Sequence, residues 1–124
     1  MIKEDYVSFE TAKLLKEKGF DEPTLYHCLY DNNVITHSKE CKYFRNSELI
    51  NAFDVPTLQT AMKWLREKHN IFIEISVDEE LNEYGYQWAL FDNTTKRIRP
   101  YAGWSDTYEQ TCEKAIQYCL EILI

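Results

Sequence analysis

The sequence predicts an α+β domain: an antiparallel sheet of four to five strands packed with three main helices, in the order α-β-β-α-β-β-(β)-α. Three observations predict it. Residues 56–77 change period part-way, from helical to alternating. Residues 84–91 alternate again, and amphipathic segments with capping residues stand near both ends, at 8–18 and 106–123. Helices that need a cover and strands that offer one face make a layered domain.

In the central stretch, Thr57 follows a proline and precedes an apolar run, so its hydroxyl is placed to cap the free N–H groups of a first turn. Leu58, Ala61, Met62 and Leu65 then recur at helical spacing with Trp64 on the flank, and Lys63, Arg66, Glu67 and Lys68 take the other side. Asn70 suits the left-handed conformation that ends a helix, and Ile71 can fold back onto the last turn. The period then becomes two. Ile71, Ile73, Ile75 and Val77 point one way, while Phe72, Glu74 and Ser76 point the other. The isoleucines are expected to fill the space between helix and sheet.

Ahead of this unit, Ser8 is placed to cap a helix over residues 9–18, with Phe9, Ala12 and Leu15 inward, Gly19 as its stop and Phe20 folding back. Residues 25–30 and 34–37 read as two strands joined at Asp31-Asn32-Asn33, a sequence that tolerates positive φ. Residues 39–55 carry little period, and 47–53 fit either one or two helical turns or an ordered loop. Beyond the central unit comes an acidic connector, 78–83. In the following strand Tyr84, Tyr86, Trp88 and Leu90 share a face, and Gln87, Ala89 and Phe91 share the other. Asp92 to Thr95 reads as a turn and 96–99 as a short edge strand whose charges discourage edge pairing. The last helix is expected to start at Asp106, with Glu109 completing a capping box. Its stripe is Tyr108, Cys112, Ala115, Ile116, Cys119, Leu120 and Leu123, so it must be docked.

Residues 8–20 recur in type, with two extra residues, as 57–71. Each is a capped helix followed by two strand-like runs, so an internal α-β-β repeat is one way to build the chain. Convergence of two amphipathic helices on Ala, Lys, Glu and Leu is the other. With 124 residues, a single domain over 1–124 is expected, large enough to bury roughly two thirds of its unfolded surface. The chain is 44% hydrophobic and 28% charged, with three glycines and three prolines, the composition of an ordered globule. Its formal charge of −7 opposes nonspecific attraction to nucleic acid and to anionic membranes. Residues 1–5 lack the apolar run of a signal sequence, and no run of 18 apolar residues occurs anywhere. A cytoplasmic location is the resulting expectation, with Cys28, Cys41, Cys112 and Cys119 as reduced thiols.

The segments SFETAKLLKEKGFDE (8–22), PTLQTAMKWLRE (56–67) and YEQTCEKAIQYCLE (108–121) resemble a family of small uncharacterised proteins from gut bacteria and their phages or mobile elements. They cover about a third of the chain. The resemblance implies an accessory role in a mobile element and carries no functional residues with it.

Candidate chemistry is sparse. With Asn32-Asn33 as a two-residue turn, Cys28 would lie across from His37, with Cys41 four residues on and His27 beside Cys28. Thiolates and imidazoles are natural zinc ligands, yet there is no Cys-x-x-Cys, and His27 and Cys28 project to opposite faces. A packed thiol beside a histidine is the plainer account. Cys112 and Cys119 lie within an apolar stripe, where a free Cys behaves as a small hydrophobe. His69 sits at the favourable end of a helix dipole with no evident catalytic partner. Asp78, Glu79, Glu80 and Glu83 lack the glycine and the ligand spacing of a calcium loop. No phosphate cradle, nucleophile elbow or His-Glu-x-x-His occurs. The aromatic and basic run between residues 84 and 104 remains. Tyr86, Trp88, Tyr101 and Trp104 with Arg97 and Arg99 could form a ligand surface on which peptides or bases stack. An aromatic sheet face beside a charged edge strand accounts for the same residues.

These readings point to a small binding or interaction module without cofactor. A protein or peptide is the favoured partner. The alternatives are a nucleic-acid-binding regulator using residues 96–99, and a zinc protein or enzyme at Cys28, His37 and Cys41.

Overall fold

The computed structural model describes residues 2–30, 35–37, 43–78, 85–92, 97–99 and 104–124, with the backbone alone at 35–37, 78, 97–99 and 104. Among these residues three helices combine with two antiparallel sheets, so the α+β class and the helix count agree with expectation. The strands do not join one sheet of four to five. They divide between a sheet ordered β2-β1-β3 and a second ordered β4-β5-β6, with β7 also paired to β5. Two compact units result, residues 1–57 with the terminal Ile124, and residues 58–123.

In the first unit, helix α1 (Phe9–Glu17) is capped by Ser8, whose hydroxyl accepts from the Thr11 amide at 3.2 Å. It stops as expected. Gly19 takes φ +95, and the Phe20 amide returns to the Leu15 carbonyl at 2.8 Å. Ala12 and Leu15 are buried as read, and so is Thr11. The sheet consists of β1 (Tyr26–Leu29), β2 (Ile35–His37) and β3 (Ala52–Asp54). β3 falls where the sequence was least legible. All three of its residues are buried, so it shows no alternation, and a three-residue strand covered on both faces has no period to read. A short 3-10 turn, Asn46–Glu48, precedes it, and Asn51 turns the chain into it at φ 60.

The second unit opens on helix α2 (Leu58–His69), which buries Leu58, Ala61, Met62, Trp64 and Leu65. Asn70 takes φ 56, and the Ile71 amide reaches the Leu65 carbonyl at 3.1 Å. Strands β4 (Phe72–Asp78) and β5 (Gly85–Phe91) pair along their whole length. On the other edge of β5 lie β6 (Arg97–Arg99), across an irregularity at Leu90/Phe91, and the two-residue β7 (Trp104–Ser105). Helix α3 (Tyr108–Tyr118) packs over this sheet and widens into a π-turn at Cys119–Leu123. Its cap is Thr107 and not Asp106: Thr107 is extended at φ −126, ψ 154, and its hydroxyl accepts from the Gln110 amide. The expected stripe is buried at Cys112, Ala115, Ile116, Cys119 and Leu120, while Leu123 is half-buried and Tyr108 is exposed.

Both units begin with a helix and an antiparallel strand pair, as a repeat would. The likeness ends there. The first strand after the helix is central in one sheet and outermost in the other. Among the described residues, no helix is long and apolar enough to cross a membrane.

Candidate functional site

The expected zinc geometry fails on register. β1 and β2 pair Cys28 with Ile35 and set His37 opposite Tyr26, two residues away from the expected alignment. This register, with β3 on the other side, places Phe53, Cys28 and Ile35 in one row. A row of apolar positions suits a buried face, whereas the two-residue turn would have set Cys28 against an imidazole. Cys28 is fully buried and its thiol is pushed up by burial, with Lys13 pulling it down. Cys41 lies outside the described residues, among which no cluster of metal-ligating side chains occurs. Burial also pushes Cys112 up to about 11 and Cys119 up to about 12, so both are protonated packing residues of the second unit.

On the other face of the first sheet lies a polar cluster with no counterpart in the sequence reading. Asp54 is 0% exposed and stands opposite His27, which is 6% exposed, with Nε2 3.5 Å from Oδ1. The same Nε2 lies 3.3 Å from the Thr24 carbonyl, and Phe44 meets the imidazole edge to face at 5.4 Å. Asn46 spans the gap behind them, donating to the Phe20 carbonyl at 2.7 Å and accepting from the Asp54 amide at 2.8 Å. Neither carboxylate oxygen of Asp54 has a well-formed hydrogen bond. Desolvation therefore holds the group up at about 7, with Thr24 and Lys16 lowering it and Asp21 and Glu48 raising it further. Burial lowers His27, against the Thr24 carbonyl. An Asp–His pair resembles acid/base machinery, and here both side chains are enclosed on the sheet face. Through Phe44 and Asn46 the cluster ties the 43–48 segment to the sheet.

The expected ligand surface is divided by the second sheet. Register places Ile73, Ile75 and Val77 on one face with Leu90, Trp88 and Tyr86. This is the face under α3, where Trp88 meets Tyr118 at 5.3 Å and Tyr86 meets Tyr108 at 6.2 Å. Trp88 is 4% exposed, so it is a core residue and no platform for a ligand. Alternation misleads here because it identifies a shared face without saying which face a helix covers. Tyr86 is half-buried. Arg99 and Arg97 occupy register positions opposite Leu90 and Phe91, and Trp104 pairs through its backbone with Gln87. Tyr101 lies outside the described residues.

The burial expected of the isoleucine row fades along β4, from Ile71 at 5% to Val77 at 54% exposed. On the opposite face Phe72 is 39% exposed and Glu74 is exposed, with Ser76, Gln87 and Phe91 half-buried. β4 is also the outermost strand, so among the described residues its outer edge carries no neighbouring strand over seven residues. A long edge bearing exposed apolar side chains is a template for another extended segment. This edge is the feature the sequence missed, since alternation does not report strand order. Comparison with protein-family models, with curated proteins and with solved structures finds no match to this chain.

Proposed function

We propose that the protein is a small interaction module that receives an extended polypeptide segment along the outer edge of β4. The observation that carries this reading is the seven-residue edge of β4, which has no neighbouring strand among the described residues and is flanked by Phe72 and Val77 on opposite faces. Backbone N–H and C=O groups of such an edge supply affinity, and the alternating side chains beside it supply selectivity. The enclosure of the Asp54–His27 pair supports binding over catalysis, and the accessory role in a mobile element implied by the resemblance fits a module of this kind.

An array of eight-residue peptides with alternating apolar and polar residues provides the probe. Bound peptides are expected to shift the amide resonances of residues 72–78 and to lose affinity for the Phe72→Lys/Val77→Lys variant. Absence of binders, or binders that leave those amides unmoved, overturns the reading. Arg97 and Arg99 stand on the other side of β5 from β4. Their double substitution by alanine is expected to leave peptide affinity unchanged, which separates this reading from nucleic-acid binding at residues 96–99.

A further inference from the structure

We infer that the segment fitting the β4 edge is β4 of a second copy of this chain, paired antiparallel about a twofold axis through Ile75. The inference rests on the strand-addition reading and adds the identity of the partner.

The strand itself limits the possibilities. Directly opposed residues in an antiparallel pair share a face. A twofold axis normal to the sheet must therefore pass through a residue position and not between two. β4 covers residues 72–78, so centring on Ile75 pairs all seven residues, and every other centre shortens the ladder. The charges also favour Ile75 over the centres on either side of it. With the axis at residue 74, Glu74 opposes its own copy. With the axis at residue 76, Glu74 opposes Asp78. With the axis at Ile75, Glu74 opposes Ser76, Phe72 opposes Asp78, Ile73 opposes Val77, and Ile75 meets itself. The sequence Ile73-Glu74-Ile75-Ser76-Val77 is thus self-complementary in polarity in one symmetric register.

That register also covers what is left open in a single copy. Val77, 54% exposed, gains Ile73 of the second copy as its cross-strand neighbour, and Ile73 gains Val77. A seven-residue edge is a small interface, and each chain carries a charge of −7. A weak dimer follows, with Kd on the order of 10–100 μM. Its affinity should rise with added salt, because screening relieves like-charge repulsion.

Sedimentation equilibrium of the full chain tests this, with Ser76→Lys and Ser76→Glu as register-specific probes. Ser76 pairs with the neutral Gln87 on its inner side, so neither substitution sets charge directly against charge within the β4–β5 pair. Across the axis Ser76→Lys sets two cations against two Glu74 carboxylates, and Ser76→Glu sets acid against acid. Dimer affinity is expected to rise roughly tenfold for the first and fall roughly tenfold for the second. Unchanged thermal unfolding of both variants at concentrations where they are monomers shows that the fold is intact. A chain that stays monomeric up to about 1 mM overturns the inference, as does a dimer whose affinity moves the same way in both variants. Peptide binders that still shift residues 72–78 on a monomeric chain would leave the strand-addition reading standing, so the two failures are distinguishable.

Discussion

Replacing Asp54 with asparagine should make the first unit more stable at pH 8 and less stable at pH 4. The side chain is 0% exposed and its carboxyl is held up at about 7, against about 3.9 in an unfolded chain. Between those values the folded state holds a proton that the unfolded state has released, so stability falls as pH rises from about 4 to about 7 and then levels. The full penalty is about 4 kcal/mol, at most. Asparagine keeps the shape and the backbone bond to Asn46 but brings an amide donor that the enclosure leaves unpaired, at about 1–3 kcal/mol. The variant should therefore trail the wild type by about 1–3 kcal/mol at pH 4 and lead by a similar amount at pH 8. His27 contributes the opposite slope in both proteins. Its lowered value means that stability is lost as pH falls below about 6.5, so it cancels in the comparison to the extent that its partner matters little. Urea unfolding at several pH values measures the gap, read from the amide resonances of residues 26–29 and 52–54. Tryptophan fluorescence will not serve, because Trp64, Trp88 and Trp104 all belong to the second unit. A gap that is independent of pH, or that moves against the variant as pH rises, would refute the assignment of Asp54 as a buried, proton-holding carboxyl.

Other substitutions have narrower expectations. Asn46→Ala strips the Phe20 carbonyl and the Asp54 amide of their buried partner at once, and should cost about 2–4 kcal/mol in the same urea assay. Gly19→Ala should cost about 1 kcal/mol through backbone strain alone, since φ is +95 and no atom lies within 4 Å of the added methyl. Thr107→Ala should lower the stability of the second unit by about 1 kcal/mol while Asp106→Ala changes it by a few tenths, a contrast that thermal unfolding resolves and that locates the cap. Trp88→Ala should destabilise that unit by about 3–5 kcal/mol, because it empties the space beneath Tyr118.

What was legible in the sequence follows from which physical signals are local. The helices over 9–17 and 58–69, with their stops at Gly19 and Asn70, depend on period and on one residue each able to take positive φ, so a dozen residues suffice to read them. The pairing of 72–78 with 85–91 needed only two alternating runs close together. The β1–β2 register depended instead on β3, a strand 23 residues beyond β1 that sets Phe53 beside Cys28. β3 had no period because all its residues are buried. The Asp54 cluster was hidden for the same reason. His27, Asn46 and Asp54 are ordinary polar residues until β1, the 3-10 turn and β3 bring them together.

The cost of that cluster bears on how the molecule divides its labour. An uncompensated carboxyl lowers the stability of the first sheet, yet the Asn46 side chain beside it satisfies the Phe20 carbonyl and the Asp54 amide. The second sheet spends its polar residues differently. Glu74 and Ser76 lie on the face of β4 that α3 leaves uncovered, next to an edge with no described neighbour. Edge strands are ordinarily blunted by charged side chains, proline or bulges. Here the centre is Ile75 and the charge sits one residue aside, which disfavours the symmetric centres on either side and leaves the longest one free of like-charge opposition. If protection of the edge were the only demand on β4, a charge at residue 75 or a proline would meet it better. The placement of Glu74 beside the centre is what selective pairing requires, and the opposite responses expected of Ser76→Lys and Ser76→Glu follow from that single offset.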